Sequence, residues 1–350
     1  MKITKSIAAA LVLTLATGFS SNYVGLASEN TKVKTSNQES TLISLNTSSE
    51  EIKHLPGGND SELPYIISPR YTLLLNEQPN ISWNPVAGAT LYLVRIEGPG
   101  VEWLAETSET QIVYSGEQPL EAGVAYKVTV EADTGTSSID DAGAKLGFRV
   151  VETEKAQSIQ QQAEEIAKSS LSAEEKAIAT AQLYSEYMFK AEAIATLETL
   201  VNQGNQTGAV YKMLGDLYAE TGLNLLAEAS YNQAIELASV KQEQMVLTEA
   251  QAGLAGVNLM LGNEEEAQEM QKLAQAGYQE MGEQEKAKQL EERLTMLQTG
   301  VAEDNVLIGM RGGPTQKEEA DIIAPDMFDG TSESSDEPSI ESPEYEGFGS

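Results

Sequence analysis

Between residues 153 and 298 the chain contains no proline, and small and aromatic residues return at a fixed interval. Tyr184 and Tyr218 lie 34 residues apart, as do Ala193 and Ala227. A third unit sets Leu254, Ala255, Gly262, Ala267 and Ala274 against Leu214, Gly215, Gly222, Ala227 and Ala234 at a spacing of 40. A period in this range means one supersecondary unit per repeat, each burying its apolar face only against its neighbours. The pattern predicts helical hairpins at about 174–207, 208–241 and 248–281, flanked by helices at 154–168 and 284–297. About six extra residues are expected to lengthen the junction near 239–246.

Local chemistry marks the helix ends. Ser172 followed by Glu175 reads as a capping box, in which each residue satisfies the other's backbone N–H. Gly204, Gly222, Gly262 and Gly282 fall where a helix should stop and the chain needs a left-handed residue. The closing stretch "QEKAKQLEERLTMLQ" turns Leu290, Leu294 and Leu297 inward, leaving a polar outer face as a terminal repeat requires.

The middle unit, "YKMLGDLYAETGLNLLAEASYNQAIELA", carries Tyr211, Leu214, Gly215, Tyr218, Ala227, Tyr231 and Ala234. At those places it resembles the tetratricopeptide repeat family. The flanking units depart from the pattern, with Ala177 and Ala181 in the first and Asn258 in the third where larger residues or glycine are usual. Together with Tyr184, Ala193, Leu254, Ala267 and Ala274, these residues are read as packing positions and not reagents. The resemblance implies an all-α solenoid whose first helices line a concave surface that binds peptides or partner helices. Carried over position by position, the partner-binding candidates are Gln182, Glu186, Lys212, Asp216, Glu220, Glu249, Leu259 and Met260. Ile178, Ser185, Ala209, Ala219, Ala252 and Gly256 lie among them. This set is mildly acidic and partly apolar. It lacks the Lys and Asn cluster with which one branch of the family holds acidic C-termini, so a basic or apolar segment fits better on charge grounds.

From 64 to 152 the period changes to two. In "YKVTVEA", Tyr126, Val128 and Val130 share one face while Lys127, Thr129 and Glu131 share the other, as in a half-buried antiparallel strand. Runs of this kind, separated by "GA", "GPG" and "TGTSS", predict five to seven strands and a β-sandwich. Trp83, Tyr92 and the run Leu120–Tyr126 resemble a fibronectin type III domain. That resemblance implies a corner in which the Tyr126 hydroxyl bonds back to the loop backbone, with Ala122 standing where proline is usual. Trp83 is expected in the core. Trp103 and Tyr114 are candidates for stacking on a sugar.

The first 27 residues, with Lys2 and Lys5, an apolar run at 7–16 and small residues up to "GLA", read as a secretory signal peptide. The run is too short to span a bilayer. Residues 28–63 are Ser-, Thr- and Asn-rich and are expected to be a flexible linker. Residues 299–350 are expected to be a disordered acidic tail, with thirteen acids against two bases in the last fifty positions.

Composition narrows the chemistry. A formal charge of −32 opposes binding to nucleic acid, whose phosphates need lysine and arginine. With no cysteine and His54 as the one histidine, disulfides, thiolate nucleophiles and two-histidine metal sites are excluded. No phosphate-binding glycine loop or metalloprotease helix motif is present, and Asp140–Asp141 lack the alternating oxygen ligands of a calcium loop. The expectation is a multidomain exported protein: an all-β sandwich of fibronectin III or Ig-like type, then an all-α solenoid of helical hairpins. It is expected to be a non-enzymatic scaffold of the cell envelope, periplasm or extracellular space, with no cofactor or metal. Its partner would be a protein or peptide. Glycan binding through the β-sandwich is the alternative.

Overall fold

The computed structural model describes residues 60–141 and 147–299, with side chains through Thr295. The proposed signal peptide, most of the linker, His54, the Leu297 side chain and the tail beyond 299 lie outside the described residues.

Eight strands come first among the described residues: β1 (Ile66–Ser68), β2 (Thr72–Leu74), β3 (Asn80–Trp83), β4 (Tyr92–Gly98), β5 (Val101–Thr107), β6 (Gln111–Val113), β7 (Ala125–Ala132) and β8 (Gly147–Val150). They form a three-stranded sheet, β1-β3-β6, and a five-stranded sheet, β2-β8-β7-β4-β5. Pairing is antiparallel except between β2 and β8, which run parallel. Both sheets contribute to one core of Ile66, Ile81, Trp83, Val94, Ile96, Tyr126, Val128 and Phe148. Trp83 is 2% exposed and meets Tyr92 edge-on at 5.4 Å. The Tyr126 hydroxyl accepts from the Glu121 N–H at 2.9 Å, so the loop before β7 is tied to the strand that follows it. Thr129, which alternation places on the outer face, is nonetheless buried.

Eight helices follow among the described residues: α1 (Thr153–Ala167), α2 (Ala173–Glu186), α3 (Lys190–Asn202), α4 (Gly208–Glu220), α5 (Asn224–Lys241), α6 (Gln244–Leu261), α7 (Glu264–Glu280) and α8 (Gln284–Thr299). Ser172 and Glu175 form the reciprocal capping box at α2. Gly204, Gly222, Gly262 and Gly282 all take positive φ, where a side chain would be strained by the backbone itself. Successive helices pack as hairpins, and α4, α6 and α8 also touch in turn, so their outward faces form one surface. Ala193, Leu214, Gly215, Tyr218, Ala227, Tyr231, Ala234, Leu254, Ala267 and Ala274 are buried, while Tyr184 and Tyr211 are half-buried against the same cores. The six extra residues of the third unit do not make a longer loop. They extend α5 and α6 to 18 residues each, leaving only Gln242 and Glu243 between them, with Gln242 left-handed at φ 58°. Continuing two facing helices satisfies their backbone groups internally, which an exposed loop would leave to water.

Ala227 is fully buried between α4 and α5 in this arrangement. Ala227→Leu should overpack the hairpin and destabilise the helical region by about 1–3 kcal/mol, read from chemical denaturation. An unchanged midpoint would exclude this packing.

The strands and helices are joined by an apolar, buried interface that sequence periodicity gives no sign of. Tyr71, Leu73, Val151, Ile159, Met188 and Phe189 form a core spanning both regions. Arg70, 2% exposed, donates from Nε to the Thr221 carbonyl at 2.8 Å and from Nη1 to the Asp141 carboxylate at 3.2 Å. Asp141 is thus a buried ion-pair partner, and Asp140 closes a capping box on Ser137. β2 is an edge strand, and the helical region covers that edge. The Leu73 N–H bonds to the Met188 carbonyl at 2.9 Å, the Ala191 N–H to Thr72 Oγ1 at 3.2 Å, and the Leu75 N–H to Glu192 Oε1 at 2.7 Å. The Lys190 ammonium sits 5.3 Å from the centre of the Tyr71 ring.

Candidate functional site

The outward faces of α4, α6 and α8 enclose a cavity of about 190 Å³. Its lining alternates acids and bases. From α4 come Lys212, Asp216, Ala219 and Glu220, one or two helical turns apart; from α6 come Glu249 and Gly253. α8 adds Lys286, Gln289 and Arg293 at i, i+3 and i+7, the spacing that keeps three side chains on one helical face. Tyr231 of α5 and Tyr278 of α7 reach in from behind.

The charges form a chain across three helices. The Lys212 ammonium lies 3.0 Å from Asp216 Oδ2 on its own helix and 3.2 Å from Glu249 Oε2 on the next. Glu249 Oε1 in turn meets the Lys286 ammonium at 3.2 Å. These side chains are between 16% and 40% exposed, deep enough to be screened less than surface pairs. Tyr231 donates to Asp216 Oδ1 at 2.9 Å. Burial first, then the Asp216 carboxylate, hold the Tyr231 hydroxyl protonated far above the ordinary phenol range. The Tyr278 hydroxyl is pushed up to about 12 by burial and then by Glu249. Burial lowers the Arg293 pKa, opposed by the fields of Tyr231, Asp216 and Tyr278. Both phenols are therefore neutral donors at any ordinary pH, and the carboxylates of the chain are held as ion pairs.

Tyr231 reaches the cavity because two glycines make room for it. A Cβ on Gly215 would stand 2.7 Å from its ring, and one on Gly253 only 2.3 Å. The ring lies between α4 and α6 in consequence, with its hydroxyl at the groove.

Of the partner-binding candidates, Lys212, Asp216, Glu220 and Glu249 come together here. Gln182 and Glu186 lie on α2 and do not line the cavity; Gln182 is half-buried and Glu186 exposed. Leu259 packs into the core shared by α6, α7 and α8, and Ala252 is buried in the same core. Met260 is half-buried at the end of α6, away from the cavity lining. The missed contributors are Lys286, Gln289 and Arg293, which the sequence places on a helix expected to turn a polar face to solvent. With them the lining holds three acids and three bases, so the mildly acidic character expected of the groove is corrected to a balanced one. Bases at i and i+7 are rare in a chain with only 22 of them, and that was the one available signal. Tyr231 and Gly253 were also missed as lining residues. Gly253 stands two residues before Ala255, the position equivalent to Gly215, and so escapes the repeat alignment.

In the β region Tyr114 is 3% exposed and donates to the Gln118 carbonyl, and Trp103 packs edge-on against it at 5.2 Å. The two rings pack on each other and do not form two open platforms. Among the described residues no cluster of three or more potential ligands could hold a metal ion, and no helix is long and apolar enough to cross a membrane. A scan against models of known protein families matches none of them, and a search of curated proteins finds no significant match.

Proposed function

We propose that this chain is an exported, non-enzymatic scaffold in which a fibronectin III or Ig-like β-sandwich is followed by a tetratricopeptide-type solenoid. The concave face of the solenoid binds a segment of another envelope protein. The observation that carries this reading is the cavity ringed by the Asp216–Lys212–Glu249–Lys286 chain, with its residues drawn from three alternate helices. Ionised groups held in fixed pairs, with neutral phenols behind them, offer donors and acceptors in fixed directions without needing to reorganise on binding. The balance of three acids and three bases disfavours a uniformly basic segment. It fits one that carries both signs, or a polar uncharged side chain entering the cavity. The two-sheet core, the Tyr126 corner and the repeat packing at Gly215, Ala227 and Ala234 support the two fold assignments.

Photocrosslinking tests the reading directly. A benzophenone side chain replacing Gln289, exposed at the cavity mouth, should crosslink a defined envelope protein. The same group replacing Glu236, exposed on α5, should not. Equal capture at both positions, or none at 289, would remove the concave face as the binding surface.

A further inference from the structure

Glu192 occupies the first turn of α3, at the joint between strands and helices. Its Oε1 accepts the Leu75 N–H at 2.7 Å, standing in for the carbonyl that a further strand would supply to the edge of the sheet. Its Oε2 is buried and has no hydrogen-bond partner. The following described groups lie around the joint. α2 contributes Tyr184, whose hydroxyl is pushed up by burial and then by the Glu192 charge. The β2 side contributes the Leu75 N–H and the Tyr71 ring, and α3 itself contributes Lys190, whose ammonium lies over that ring. No ion pair to Glu192 is found among the described residues.

We propose that Glu192 is a proton-operated latch: as a neutral acid it holds β2 against α3, and as a carboxylate it draws water into the joint and loosens the strands from the helices. Glu192 as a residue is half-buried, but its carboxyl, with one oxygen bonded and the other buried without a partner, is more stable uncharged than charged. Burial accordingly raises its pKa from 4.5 to about 7, with the Leu75 N–H pulling the other way. The raised value fixes the sign. The closed joint has its full advantage below about pH 4.5, where the hydrated and buried carboxyls are both protonated, and loses it as pH rises through about 7. With an ordinary carboxylate in the open form, the open-to-closed ratio should rise roughly 30-fold between pH 5.5 and 8.5. The remaining bonds at Leu73, Thr72 and Arg70 keep the two regions tethered, so the joint is expected to loosen without the regions separating.

The absence of cysteine makes the measurement clean, because introduced thiols are the only labelling sites. Spin labels at Glu106→Cys in the β region and Val240→Cys on α5, both exposed positions, report the distance across the joint in the full chain. The expected result is a narrow distribution at pH 5.5 that broadens at pH 8.5, and a narrow one at both pH values with Glu192→Gln added. A distribution that ignores pH, or one that still broadens with Glu192→Gln, overturns the proposal. If Glu192→Gln fails to fold, carboxyl carbon-13 titration of the unaltered chain decides. A midpoint near 7 for Glu192 is required, and a midpoint in the range of the exposed glutamates overturns it.

Discussion

Replacing Arg70 with methionine is expected to lower the free energy of unfolding by about 3–5 kcal/mol. Arg70 is 2% exposed and Asp141 4%, so removing the guanidinium leaves a carboxylate in a buried interface with its principal partner gone. The Thr221 carbonyl is stranded too. Thr221 closes α4, where the helix dipole concentrates negative charge, and the guanidinium is the cation that answers it. Burial lowers the Arg70 pKa and the Asp141 charge opposes that shift, so the guanidinium is supported by its partner. That dependence supplies the control: Arg70→Met combined with Asp141→Leu removes both charges and should recover most of the loss. Urea denaturation of the three chains reads the outcome. A loss below about 1 kcal/mol for Arg70→Met alone would mean that the joint does not depend on the pair.

Tyr231→Ala should cost about 3–5 kcal/mol, comparable to other large-to-small changes of buried aromatics. The ring is 3% exposed and wedged between Gly215 and Gly253, so its removal leaves a void that two rigid helices cannot close. The hydroxyl makes a smaller contribution. Tyr231→Phe should cost about 1 kcal/mol, because Asp216 keeps Lys212 after losing the phenol. Amide exchange should locate the damage, with protection falling across α4, α5 and α6 together because each hairpin relies on its neighbours for a core. Loss confined to α5 would contradict the three-helix contact.

The helices were legible because their signals are local. A run without proline, small residues at a fixed interval and the Ser172–Glu175 box each depend on neighbours within a few turns; α1 and α8 appear within two residues of the expected bounds, while the first hairpin ends at Asn202 and the third begins at Gln244, five and four residues from where they were expected. Alternation in "YKVTVEA" located β7 and its buried face for the same reason; Thr129 departs from it although its face-mates Lys127 and Glu131 are half-buried and exposed, and the turn at Ser138–Asp140 packs against this part of the strand. The groove was half legible. Repeat position led to Lys212, Asp216, Glu220 and Glu249, since one helical face recurs at a fixed step. Leu259, the position equivalent to Ala219, instead packs against the core shared by α6, α7 and α8.

Repetition and amphipathic period were enough to establish a strand-rich region followed by stacked helices, because each element's buried face is written into its own residues. The joint and the charge balance of the groove had to wait for the folded chain. Arg70 reaches Thr221 across 151 residues, Leu75 reaches Glu192 across 117, and Lys286 reaches Glu249 across 37. At such separations, whether a charge faces water, a partner or a dry interface depends on where other elements come to rest. In a chain with 54 acids, nothing local distinguishes Glu192 from the rest. The burial of its Oε2 sets it apart, and that burial belongs to the packing of the whole.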